Sequence, residues 1–404
     1  MKSFTLDPGS ALEGLELEDI AGSDGYLFAR DRTGFAGRRV ATRVPIDEAT
    51  SRLASIDHRD HSGFGRGPVA LGCLPFRPGR PAELVVPEVL VARHADGRTS
   101  VTVTTDGPLP GVDAVLDELT RPIEPVGARA ADYSVRPASP VAVHRAAVLT
   151  ARDAVREGRL TKAVIARAID VETSEPWDLR GVLHRLRGSF GSSHRFSVDG
   201  FVGASPELLV EVDDDVVSSH PLAGTTPRTG DPVTDDRLAE ALISSMKDQI
   251  EHRVVIDVVH DALLPWCSYL DWEPEPSIVR VANVQHLGTR IEGRLAEPRP
   301  DVVTLVRALS PTPALGGHPR GDALDLIAHV EGFERGLYGG AVGWTDARGN
   351  GTWAVSIRCA TFSDDRRRAR LMAGGGIVAD SDPDSELAET QAKFQAMLSA
   401  LVRA

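Results

Sequence analysis

Two stretches of the chain place a lysine beside a pair of closely spaced carboxylates: Lys247, Asp248 and Glu251 in SSMKDQIEH, and Glu386, Glu389 and Lys393 in DSELAETQAK. In each stretch the two carboxylates are three residues apart, which makes them neighbours on one face of a helix. Like charges at that spacing repel unless water or a cation lies between them. Water is the ordinary explanation for one such face. Two faces, each with a lysine, point to a shared cation, because lysine is scarce here: of 45 Lys and Arg residues only Lys2, Lys162, Lys247 and Lys393 are lysine. Arginine stays charged, whereas a desolvated lysine can lose its proton, so the surviving lysines are candidates for chemistry. Hard carboxylate oxygens, with water and substrate completing the shell, suit Mg²⁺. A soft metal has no such set, since His252, His260, His286 and His318 lack HExxH spacing and Cys73, Cys267 and Cys359 form no CxxC pair.

A fifth carboxylate, Glu207, follows Ser205 and Pro206 in FVGASPELLVEV, at the edge of an apolar run. Partly desolvated there, it could stay protonated and act as a general acid; an ordinary strand-edge glutamate is the competing reading. PLAGTTPRTG (221–230) and LMAGGGIVA (371–379) read as glycine-containing turns whose backbone amides could hold carboxylates. GGGI lacks the GxGxxG strand-to-helix setting of a dinucleotide site, and GxxxxGK[ST] is absent, which removes phosphoryl transfer on a P-loop.

These residues need elements to hold them. Helical spacing of apolar residues predicts a helix over 140–157, after which 162–171 alternates as a strand, so that Lys162 opens a strand. A helix at 178–186, strands across 195–219, and one long helix over 234–264 follow. The tail predicts strands at 340–345, 352–362 and 370–373 joined by hairpins, then a helix over 384–402; the Asp364 to Arg368 hairpin tip reads as solvated. Residues 1–105 read as short strands and turns, including 83–92 and 100–105, without a chemical motif. Prolines recur through 106–139, which predicts an irregular connector, with a core from 140 to 404. No repeat is visible. Clustered strands with separate helices give an α+β fold of antiparallel sheets flanked by helices, in a single large domain.

The formal charge of −13 argues against a duplex nucleic-acid binder. Three dispersed cysteines fit a reducing cytoplasm, and no apolar run has the length of a signal or membrane-spanning segment. A cytoplasmic, soluble protein is expected.

From about residue 140 onward the pieces KAVIAR, FVGASPELL, PLAGT, SMKDQIEH, VQHLGT, LSPTPALGGHPR, RGLYGGAVGW, SIRCA, AGGGIV and ELAETQAK occur in the order of a known family. In this the chain resembles the chorismate-utilising enzymes, which include isochorismate, salicylate, anthranilate and aminodeoxychorismate synthases. The resemblance implies that Lys162 is the base that activates water for attack on C2 of chorismate, and that Glu207 protonates the departing C4 hydroxyl. It implies Mg²⁺ on Glu251 and Glu389 with Asp248 and Glu386 in support. Arg358, Lys393, Gly374, Gly376, Gly224 and Thr225 would hold the carboxylates, and Tyr338, His286, Ala314 and Leu315 would line the site. Lys162 fits the water-using members rather than the ammonia-using ones, which rely on a glutamine amidotransferase partner. Ala223 replaces the nucleophilic lysine of aminodeoxychorismate synthase. Ala314 and Leu315 stand where lyase-competent relatives tend to carry Thr and a smaller residue, so release of isochorismate is expected over salicylate, with PTPAL nearer the catecholate-siderophore branch than the menaquinone branch. A non-catalytic relative is disfavoured because no carboxylate or base is lost, and by analogy a monomer or weak dimer is expected.

Overall fold

The computed structural model describes residues 1–121 and 132–402. The part of the expected connector at 122–131 therefore lies outside the described residues. On either side of it the chain is more regular than its prolines imply, with a helix Val112–Leu119 and a strand Tyr133–Pro137.

Among the described residues, twenty strands are joined in one hydrogen-bonded network and three more form a small second sheet. Neighbours are antiparallel except for Lys2–Leu6 against Asp57–Asp60. The N-terminal strands belong to the same network: Val69–Leu74 pairs with Ala341–Asp346, and Tyr26–Arg30 pairs with His194–Val198. The architecture is the expected α+β sheet with flanking helices.

The strand Lys162–Thr173 runs along the site, and ten of its residues pair with the strand Arg368–Ile377. Its sequence, KAVIARAIDVET, is buried through its first eight residues, as a strand covered on both faces must be. Helices from distant parts of the chain are held near this pair by separate apolar clusters, the C-terminal one packed on strand Arg368–Ile377 and the other on strand Leu222–Pro227. Helix Met246–Leu263 contributes Val255, Ile256, Val259 and Leu263 to a cluster with Phe196, Phe201 and Trp353. The C-terminal helix Pro383–Val402 contributes Phe394, Met397 and Leu401 to another cluster with Trp177 and Leu183. Each fully buried aromatic or aliphatic side chain of this kind is worth about 1.5–3 kcal/mol. Arg167, buried on the Lys162 strand, donates to Thr390 Oγ1 at 2.8 Å and Gln391 Oε1 at 2.9 Å and so locks the register of the C-terminal helix.

Three sequence expectations change. The single helix over 234–264 is two, Pro232–Ser244 and Met246–Leu263. Ser245 is extended (φ −74°, ψ 109°) and its hydroxyl accepts from Asp248 N–H at 3.3 Å, so it breaks the first helix by capping the second. The strand over 352–362 is also two, Gly351–Val355 and Cys359–Phe362, with Arg358 between them at φ +53°. Finally, PLAGT and AGGGI are strand rather than turn: Leu222–Pro227 pairs with Val284–Gly288, and Gly374, Gly375 and Gly376 pair with Ala166, Ile165 and Val164.

Candidate active site

Close approach, not turning, explains the glycine run. A Cβ on Gly376 would lie 2.5 Å from Glu251 Oε1 and 2.7 Å from Lys162 Cε, and one on Gly375 would lie 2.5 Å from Glu386 Oε2. Both acidic helices thus lay carboxylates across this strand beside Lys162. Lys162 itself is 2% exposed and donates to Glu251 Oε1 at 2.7 Å. Lys393 donates to Gly374 O at 2.7 Å and to Glu389 Oε1.

Glu207 sits in the two-residue gap between strands Phe201–Ser205 and Leu208–Asp213, 2% exposed. Leu222 N–H donates to its Oε1 at 3.4 Å, and its own carbonyl accepts from Val355 N–H at 3.1 Å. Burial pushes its carboxyl up from 4.5 to about 7, against smaller opposing effects of the Leu222 amide, Lys162, Arg358 and Lys393. A carboxyl in that range keeps a proton to give.

His286 is read from both sides. Its Nε2 faces Arg358 Nη2 at 3.2 Å, and its Nδ1 faces Gly224 O at 3.2 Å and Thr225 Oγ1 at 3.1 Å. A guanidinium only donates, so Nε2 accepts and the ring proton resides on Nδ1. Burial, then Arg358 and Lys393, hold the imidazole well below its usual pKa, which keeps it neutral. Gly224 lies at φ +74° where the register of its strand shifts, a conformation that favours glycine. Arg358, with a left-handed backbone, places a buried guanidinium in the same space, and its Nε has no protein partner. Burial lowers the Arg358 pKa, the expected response of a cation held away from water.

The carboxylates within each acidic helix feel one another, and Asp248 also feels Glu389 of the other helix. Burial and then, among charged groups, Glu251 raise Asp248; burial and then Glu389 raise Glu386, whose Oε2 is buried without a partner. Glu251 is engaged by Lys162 and Glu389 by Lys393, and among the described residues no three His, Cys, Asp or Glu side chains converge as a ready metal-ligating group.

Lys162, Glu207, Gly224, Thr225, Asp248, Glu251, His286, Ala314, Leu315, Tyr338, Arg358, Gly374, Gly376, Glu386, Glu389 and Lys393 all line one pocket. Every residue that the resemblance assigned to the site is therefore here, whereas Lys2, a candidate only by its rarity, lies exposed at the start of strand Lys2–Leu6. Leu222, Ala223, Lys247 and Ile357 also line it without having been assigned a role there. Lys247 was visible as a rare lysine, whereas Leu222 and Ile357 carry no chemical signature.

Residues 46–402 match the family described as chorismate binding enzyme, and the chain belongs to that family. A Mycobacterium tuberculosis (strain H37Rv) protein provisionally named isochorismate synthase MenF is 44% identical over 351 residues, 83% of this chain and 87% of its own. Isochorismate synthase DhbC of Bacillus subtilis (strain 168) is 36% identical over 368 residues, 88% of this chain and 86% of its own. The crystal structure of a Bacillus anthracis DhbC, provisionally a 2,3-dihydroxybenzoate-specific isochorismate synthase, superposes with a TM-score of 0.78 at 31% identity, covering 97% of this chain and 98% of that one.

Proposed function

We propose that the chain is an isochorismate synthase, an isomerase that adds water to C2 of chorismate and expels the C4 hydroxyl. The observation that carries this reading is that Lys162 and Glu207, whose carboxyl burial raises to about 7, line one pocket with the guanidinium of Arg358, whose Nε has no protein partner. Acid and base in different environments are what a simultaneous protonation and deprotonation requires.

In this reading Lys162 takes a proton from the attacking water as its oxygen bonds to C2. The ring double bonds shift, the C4–O bond breaks, and Glu207 delivers its proton to the leaving hydroxyl, which departs as water. One water enters and one leaves, so the step is an isomerisation; a proton passing from Lys162 back to Glu207 restores the site. Arg358 and Lys393 neutralise and orient the substrate carboxylates, with His286 as a neutral, fixed hydrogen-bonding wall beside the ring and Tyr338, Ala314 and Leu315 closing it. Gly224, Thr225, Gly374 and Gly376 let the substrate approach the backbone.

The carboxylates fit Mg²⁺. Their oxygens are hard, Glu386 Oε2 has no partner, and Mg²⁺ takes one or two protein carboxylates with water and substrate completing six positions rather than a full protein cage. Glu251 and Glu389, supported by Asp248 and Glu386, would hold it, and when bound it offsets the charge of a substrate carboxylate. Water as nucleophile makes a glutamine amidotransferase partner unnecessary. Among the described residues no helix is long and apolar enough to cross a membrane, which is consistent with a cytoplasmic site of action. A siderophore route through 2,3-dihydroxybenzoate is favoured by PTPAL, with menaquinone supply as the alternative, since relatives carry names from both.

The test is NMR of the purified protein with chorismate, with Mg²⁺ or EDTA. Isochorismate rising to an equilibrium mixture without pyruvate is expected. Salicylate with stoichiometric pyruvate would reassign the chain as a salicylate synthase, and unchanged chorismate would overturn the enzyme reading.

A further inference from the structure

The edge of the Lys162 strand that faces the pocket wall is completed by side chains instead of a neighbouring strand. At its start, Lys162 and Ala163 pair with His318 and Gly317, and Val164 N–H donates to Gly316 O at 2.9 Å. At its far end, Ala138 N–H donates to Ala168 O at 3.0 Å and the strand Tyr133–Pro137 pairs from Ile169 onward. Between them the ladder has a gap, and two buried, oppositely charged side chains fill it. Arg335 Nη2 donates to Val164 O at 2.7 Å, and Glu331 Oε1 accepts from Ala166 N–H at 2.7 Å.

The pair is joined to itself and to the opposite wall. Arg335 Nε donates to Glu331 Oε2 at 2.9 Å, a second bond runs from Nη2 to Oε1, and Nη1 donates to Leu315 O at 2.8 Å. The guanidinium lies 4.3 Å from the Phe76 ring centroid and 5.9 Å from that of Tyr338. Both side chains are 2% exposed or less, and neither lines the pocket. One planar fork therefore fixes the backbone two residues from Lys162, the carbonyl of Leu315 and the face of Tyr338 together.

We infer that Glu331 and Arg335 are positioning residues, a buried ion pair that substitutes for a missing strand and sets the distance between Lys162 and the Leu315–Tyr338 wall. A buried pair is poor evidence for stability, since apolar replacement often costs nothing; what it supplies is directional bonds to chosen carbonyls and amides. Lysine at position 335 keeps the charge but cannot span four acceptor atoms in one plane. Because displacement of a reacting group by about 1 Å can cost about a hundredfold in rate, the pair acts on turnover more than on binding.

This inference rests on the proposed chorismate hydration, and its test separates the two. Arg335→Lys and the near-isosteric, uncharged double variant Glu331→Gln/Arg335→Met are compared with wild type for kcat, KM for chorismate and thermal midpoint. Arg335→Ala is assayed with and without guanidinium ion. The expected result is folded protein with kcat lowered about 10- to 100-fold, KM within about threefold of wild type, and partial recovery of kcat in Arg335→Ala on adding guanidinium. Wild-type kcat in the folded double variant overturns the inference, and so does loss of folding in both pair variants, which would make the pair a core staple. A wild-type protein that leaves chorismate unchanged takes down the proposed function and this inference together, whereas an active wild type beside an equally active variant takes down this one alone.

Discussion

Lys162 donates a 2.7 Å hydrogen bond to Glu251, and Gly376 is the residue that leaves room for it. A methyl group at 376 would meet the Glu251 carboxylate at 2.5 Å and the Lys162 side chain at 2.7 Å. Both clashing groups are the outer parts of flexible side chains, so the fold can yield while the site cannot. Gly376→Ala is expected to fold with a thermal midpoint close to wild type and to lose about a hundredfold in kcat. Steady-state kinetics with chorismate beside a thermal melt checks this, and wild-type turnover in that variant would refute the crowding argument.

Glu207 gives a pH dependence of definite sign. Its folded carboxyl is raised from 4.5 to about 7 by burial, so between those values the folded protein holds a proton that the unfolded chain has released. Catalysis that needs the acid form should fall as pH rises through about 7. Stability should move the same way: the contribution is full below about 4.5 and is lost as pH rises to about 7, a change of about 3 kcal/mol at 1.36 kcal/mol per unit. Glu207→Gln should lower kcat by about 10²- to 10⁴-fold, remove the alkaline limb and flatten the stability change. Rate profiles together with urea melts at pH 5 and pH 8 provide the check; a variant that keeps the alkaline limb assigns it to another group.

The types of the chemical residues were legible because their background is unusual: four lysines among so many arginines draw attention to Lys162 and Lys393, and paired carboxylates draw it to the two acidic helices. Their elements were legible where period was clean, as at Lys162–Thr173 and Pro383–Val402. What was hidden depends on partners far away in the chain. Ser244 and Ser245 carry no Gly or Pro signal, so the helix break shows only once Ser245 caps Asp248. Arg358 takes φ +53° because two strands flank it, a constraint that no local sequence expresses. The run Gly374 to Gly376 reads as a turn until carboxylates from residues 251 and 386 are seen pressed against it. Glu331 and Arg335 carry no sequence signal of their own, because the groups they bind, at Val164, Ala166 and Leu315, are distant along the chain.

The acidic helices predict a cation dependence that can be read without turnover. Mg²⁺ that binds the folded chain alone raises its stability by about 2.7 kcal/mol at a hundred times its Kd. Wild type should therefore melt at a higher temperature with millimolar Mg²⁺ than with EDTA, and should lose isochorismate formation in EDTA. Glu389→Gln removes one charge to which both Glu386 and Asp248 respond, and should shift both the melting response and the activity to Mg²⁺ concentrations about 10- to 100-fold higher. Identical Mg²⁺ titrations for variant and wild type would remove Glu389 from the ligand set.

Arg358 is the cation with the most to lose. It is buried, its Nε has no protein partner, and Nη2 is already committed to holding His286 in one tautomer. A planar fork of that kind binds a carboxylate through two parallel bonds, which a lysine ammonium cannot reproduce. Arg358→Lys should therefore raise KM for chorismate by about 10- to 100-fold, corresponding to the about 1.5–3 kcal/mol of a hydrogen bond to a charged group. The fall in kcat should be smaller, because Lys162 and Glu207 are anchored elsewhere, Lys162 at the start of its strand and Glu207 between two strands. Kinetics of the variant decides it: a large kcat loss at unchanged KM would mean that Arg358 serves the transition state rather than holding the substrate.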